Sequence, residues 1–125
     1  MNIYLTIGAV LAFGIGLAHS YLGERYILIR LFKRGNLPHL FGSDDFTKRT
    51  LRFVWHVTTI AWWGLGAVMV VYAAGQIDQP SRAALAVMAL TFLVTAAIAL
   101  VITRGRHLSW VVFLAIAILC WIGSW

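Results

Sequence analysis

Residues Ala83–Thr103, AALAVMALTFLVTAAIALVIT, contain no charged side chain, no Gly and no Pro. An α-helix rises about 1.5 Å per residue, so a run of this length reaches across the roughly 30 Å hydrocarbon core of a bilayer. In lipid every backbone N–H and C=O must be satisfied within the segment, which a helix does unaided. The stretch therefore predicts a transmembrane helix. Outward from it, three more charge-poor runs have similar length, so spans are expected at about residues 2–23, 53–75, 82–103 and 107–125.

The whole chain is 62% hydrophobic and 11% charged, whereas about a quarter of the residues of a soluble domain are charged. The expected fold is all-α: a single transmembrane domain over residues 1–125, folded as an integral membrane four-helix bundle. The first run lacks a basic leader and a small-residue cleavage pattern, so it is expected to remain as a helix rather than be removed as a signal peptide. Cys120 is the single cysteine and lies inside the fourth run, which excludes an internal disulfide and points to packing.

Charge sets the expected orientation. Arg25, Arg30, Lys33, Arg34, Lys48, Arg49 and Arg52 flank or occupy the loop after the first span, and Arg104 and Arg106 lie between the third and fourth; Arg82 alone falls on the other side. Short loops rich in Lys and Arg stay in the cytoplasm, giving an N-out, C-out path. Anionic lipid headgroups are the expected partners of these charges. Nucleic acid is excluded, because the aromatic residues lie in the spans and the basic ones at the membrane edge.

Local signals refine this outline. Gly8, Ala12, Gly16 and Ser20 form a small-residue stripe at four-residue spacing, which lets another helix approach closely. It suggests a helix interface, within the chain or in a homo-oligomer or larger membrane complex. Beyond Glu24, residues 26–34 separate Arg30, Lys33 and Arg34 from apolar neighbours, as in an amphipathic cytoplasmic extension of the first helix. Ser43 before Asp44 and Asp45 predicts a helix start ahead of the second span. Trp62, Trp63 and Tyr72 read as outer-half residues of that span. Thr91 and Thr95 are expected to bond back to their own helix.

The same path brings three histidines toward the cytoplasmic end: His19 near the inner end of the first span, His56 about one turn inside the second, and His107 at the start of the fourth. Glu24 follows His19 closely, and His39 is in the loop below. Imidazole is the commonest metal ligand, and three His with one carboxylate suit a divalent transition metal such as zinc, iron or manganese. Ionisable groups inside a membrane are rare and usually functional. The expected site is therefore His19, His56, His107 and Glu24, with Ser20, Thr58 and Thr59 as residues that orient the rings. The bland alternative is that each imidazole bonds a neighbouring carbonyl and that Glu24 pairs with Arg25 or Arg104.

Two further readings stay open. His19 and His56 could ligate a single haem b axially between helices, as in a membrane cytochrome. Alternatively the chain is a non-catalytic accessory or assembly subunit. A carrier is disfavoured, since no helix has an ionisable residue near its middle. The strings His19-Ser20-Tyr21-Leu22-Gly23-Glu24-Arg25, Arg52-Phe53-Val54-Trp55-His56 and Arg104-Gly105-Arg106-His107 resemble those of small four-helix bacterial inner-membrane proteins. The resemblance spans most of the chain and implies that fold and a multi-pass location in the bacterial inner membrane, with no activity attached. It leaves open whether the site turns over a substrate and whether it is redox-related.

Overall fold

A computed structural model describes residues Met1–Trp125. The chain is helical, with one isolated bridge, Leu40 to Ser43, in place of any strand. α1 covers Ile3–Gly23, a π-helical turn Glu24–Leu28, α2 Ile29–Phe32, α3 Asp45–Ala74, α4 Gln79–Thr103 and α5 Ser109–Gly123. The first two α segments and the π turn run on as one helix, Ile3–Phe32, so the expected headgroup extension continues the span without a break. Three helices are long and apolar enough to cross a membrane: Ile3–Phe32, Asp45–Ala74 and Gln79–Thr103. The fourth run is helical only over the 15 residues Ser109–Gly123, shorter than its apolar sequence suggested.

Side-chain chemistry sets the ends. The Ser43 hydroxyl accepts the Asp45 N–H at 3.2 Å, and Lys48 pairs with Asp44 at 2.8 Å, so α3 starts ahead of its apolar part as expected. Asp78 caps α4 by accepting the Ser81 N–H, with Pro80 in the first turn, where its missing N–H leaves no helical bond unmade. α4 stops where Arg104 and Gly105 turn left-handed, with Gly105 N–H returning to the Leu100 carbonyl at 2.9 Å. That bond satisfies a carbonyl the helix leaves unpaired.

The chain divides into two compact units, one formed by Met1–Ile15 with Trp63–Trp125 and the other by Gly16–Trp62. The first has an apolar core in which Leu5, Met69, Leu85, Phe92, Ile116 and Cys120 are fully buried. Cys120 is packing, as expected, with its thiol 3.8 Å from the Met69 sulfur. The small-residue stripe is an internal contact surface here. A Cβ on Gly8 would meet Met69 Sδ at 3.2 Å, and one on Gly66 would meet the Ala12 Cβ at 3.4 Å, so backbones approach where side chains are small.

Asn2 ties three helix ends together within this unit. Its Oδ1 accepts the Tyr4 and Leu5 N–H groups, its amide donates to Gly123 O at 2.7 Å, and its backbone N–H donates to Ala73 O at 2.8 Å. One short polar side chain thus serves the start of α1 and the open carbonyl ends of α3 and α5. Thr91 and Thr95 bond to Val87 O and Thr91 O of their own helix, as expected. Many large apolar side chains of the long helices point outward, among them Val71, Val101 and Ile102. An apolar outer surface of this extent is compatible with a membrane protein.

The second unit is held differently. Leu28 is its one fully enclosed large apolar side chain, while Thr59 is 2% exposed although polar. Its helices meet through hydrogen bonds and aromatic rings, and those contacts make the site.

Candidate functional site

Residues four apart on a helix share a face, and two such faces build the site. On α1 and the π turn they are Ser20 with Glu24, and beside them His19 with Gly23. On α3 the positions Arg52, Trp55, His56, Thr59 and Trp62 fall at helical spacing along one stripe.

His56 is the centre. Its Nδ1 lies 2.9 Å from Ser20 Oγ, and its Nε2 lies 3.2 Å from Glu24 Oε2. One imidazole therefore spans the turn of helix that separates Ser20 from Glu24. Arg52 grips the same carboxylate from the other side, Nη2 donating to Oε1 at 2.8 Å and Nε to Oε2 at 3.1 Å. This is the planar two-point fork that guanidinium and carboxylate make. The Arg52 guanidinium also lies over the Phe32 ring at 5.1 Å.

Hydroxyls continue the chain inward. Ser20 Oγ is 2.8 Å from Thr59 Oγ1, which is 3.2 Å from the Gly16 carbonyl. The donors can be assigned from chemistry. A forked carboxylate only accepts, so His56 Nε2 carries a proton. In the neutral ring Nδ1 accepts the Ser20 O–H, and the Thr59 O–H turns to Ser20. When the ring is charged, Nδ1–H donates to Ser20, Ser20 donates to Thr59, and Thr59 donates to Gly16 O. The charged ring lets every contact of the chain form, whereas the neutral ring leaves no proton between Thr59 Oγ1 and Gly16 O; the change reverses the two hydroxyls and moves no heavy atom.

His19 is engaged separately. Its ring stacks on Trp55 at a centroid distance of 4.7 Å with 3° between planes, and Trp62 meets it edge-on at 4.9 Å. The bonds are reciprocal: the Trp55 indole N–H donates to His19 O at 3.1 Å, and His19 Nε2 lies 3.2 Å from Trp55 O. A carbonyl only accepts, so that nitrogen is the protonated one. The indole occupies the space over Gly23, where a Cβ would lie 2.5 Å from Trp55 Cζ2 and nearer still to Nε1 and Cε2.

The π turn begins at Glu24, where the Ile29 N–H reaches back five residues to the Glu24 carbonyl. The wider turn breaks the α-helical register at the carboxylate that Arg52 and His56 share.

Of the expected site residues, His19, His56 and Glu24 all lie in the second unit, and His56 touches Glu24. His107 belongs to the first unit, is exposed, and has its Nδ1 2.8 Å from Ser109 Oγ. His39 is an exposed loop residue. Ser20 meets the His56 ring and Thr59 meets Ser20, while Thr58 bonds back to Val54 O and Trp55 O. Glu24 takes Arg52 as its partner, not Arg25 or Arg104. Trp62 turns onto His19, and the Trp63 indole N–H donates to Phe13 O at 3.1 Å. The spacing of Arg52, His56 and Thr59 is the signal that marks the stripe.

No three His, Cys, Asp or Glu side chains form a group placed to hold a metal ion. A ligating imidazole needs one unshared ring nitrogen, and His56 has both engaged, so a metal or haem iron would have to displace Ser20 or Glu24. Hydrolysis through Ser20 also lacks a part. Ser20 sits within α1, where the neighbouring N–H groups are committed to the helix and cannot form an oxyanion hole. Comparison with protein-family models, with curated proteins and with solved structures finds no match.

Proposed function

We propose that the chain is a multi-pass membrane protein that handles protons at a histidine-centred site on the cytoplasmic side, with His56 accepting and releasing the proton. The carrying observation is that both ring nitrogens of His56 are partnered, one by an ion-paired carboxylate and the other by a two-hydroxyl chain. Such an arrangement accommodates a charged or a neutral ring in place. Glu24 orients the ring and offsets its charge, Arg52 holds Glu24, and Ser20 and Thr59 supply the hydrogen bonds that either state needs.

The membrane side follows from the nine basic residues of the two loops, which favour a cytoplasmic location; α5 then serves as the fourth crossing, with Trp121 and Trp125 at the outer interface. The sequence resemblance supports the bacterial inner membrane. The small-residue stripe packs within the chain, so the accessory-subunit reading rests on the near absence of extramembrane mass. Metal or haem at His19 and His56 is the competing reading.

The test uses the full chain in detergent micelles. Ring-nitrogen NMR of histidine-labelled protein should show a proton on His56 Nε2 and a hydrogen bond at Nδ1. Thr59→Val should change the Nδ1 signal, since the chain from Ser20 loses its next hydroxyl, while Thr58→Val should not. A stoichiometric metal or a Soret band in the parent, lost in His56→Ala, would refute proton handling and establish the cofactor reading.

A further inference from the structure

Arg82 is the one basic residue assigned to the outer side, and it makes no ion pair. Its guanidinium lies over the Trp125 ring at 5.5 Å, and Trp125 meets Trp121 at 6.3 Å. Trp121 in turn lines an apolar groove of about 290 Å³ between α4 and α5. Ala86, Ala89 and Leu93 form one wall, and Leu114, Ala117 and Trp121 the other. Arg82 precedes Ala86 by four residues and so stands one turn above it on the same face of α4. A cation, an aromatic pair and an apolar trough thus follow one another along the helix axis.

We infer that this surface is a specific phospholipid site, with the phosphodiester at Arg82 and one acyl chain in the groove. The size fits: at about 30 Å³ for a water-sized group, the trough holds on the order of ten methylenes. Small side chains on both walls leave the space, and its walls carry no group that a polar ligand would need. Charge decides between a lipid and a second copy of this chain. A parallel copy would bring another Arg82 to the same level, and the one acid on that side, Asp78, is already engaged by Ser81. A phosphate supplies the missing negative charge and an acyl chain the apolar complement. This inference does not depend on the role of His56.

Native mass spectrometry of the full chain, titrated with dioleoyl phosphatidylglycerol and with the uncharged diacylglycerol of the same chains, tests it. The parent should take up one phosphatidylglycerol more tightly than diacylglycerol. Arg82→Gln should weaken phosphatidylglycerol binding by about fivefold or more, toward the diacylglycerol level, and leave diacylglycerol binding unchanged. Ala86→Leu, which fills the trough from a half-buried position, should weaken both. Circular dichroism and melting are expected to match the parent in each variant; if Ala86→Leu alone is destabilised, the Arg82→Gln comparison still decides. Equal phosphatidylglycerol binding by parent and Arg82→Gln overturns the inference, as does a dimer that Ala86→Leu abolishes.

Discussion

Replacing Gly23 by alanine sets a methyl group against the face of Trp55. The added Cβ would lie 2.5 Å from Cζ2, so the indole must retreat by roughly 1 Å or more to regain the 3.5–4.0 Å spacing of non-bonded atoms. Such a shift breaks the 3.1 Å bond from the indole N–H to His19 O and opens the 4.7 Å stack on the His19 ring. Overpacking typically destabilises by about 1–3 kcal/mol. The lost hydrogen bond adds about 0.5–1.5 kcal/mol, and the disrupted ring pair a similar amount. Alanine gives back about 1 kcal/mol through its better helix propensity. The net expectation is destabilisation by about 3 kcal/mol, within a range of roughly 1–5. SDS titration in mixed micelles, followed by circular dichroism and tryptophan fluorescence, measures it. Gly14→Ala and Gly64→Ala are the controls, since neither Cβ would meet any atom within 4 Å; each should be neutral or stabilising by up to about 1 kcal/mol. If Gly23→Ala unfolds at the same SDS fraction as the controls, the close packing of Trp55 over this glycine is not part of what holds the unit together.

At the start of α4, the Ser81 hydroxyl and amide hold the Asp78 carboxyl below the usual carboxylate range. A depressed folded value means the cap's stabilisation is complete above the unfolded carboxyl value, near pH 4, and is lost as pH falls through the lower folded value. Asp78→Asn keeps a capping oxygen without the titration, so its stability should change less than the parent's on acidification below about pH 4; parallel curves would contradict the cap's role. For topology, a cytoplasmic reporter fused after Gly35 or Gly105 should be active and one after Trp125 silent, and activity at Trp125 would reverse the orientation.

Much of this protein is legible along the chain, because a bilayer makes length and apolarity nearly sufficient to specify a helix. Ala83–Thr103 reads as a helix without knowledge of any neighbour, and the clusters at Ser43–Asp45 and Arg104–Gly105 mark helix ends through local backbone chemistry. His19, Glu24, His56, Ser20 and Thr59 could likewise be picked out by type and depth. Which of them touch could not. The Ser20–His56–Glu24 contacts depend on the rotation of α1 against α3, and side chains on both helices at the same depth have many possible partners. Arg52 was one cation among several near Glu24, and only the packed helices select it. Gly23 could be read as helix flexibility until Trp55 is seen to occupy the place of its side chain. Asn2 shows the limit most plainly. Its sequence neighbourhood signals no more than a helix start, whereas its bonds to Ala73 O and Gly123 O join carbonyls some 70 and 120 residues away, a pairing that exists only once three helix ends have met.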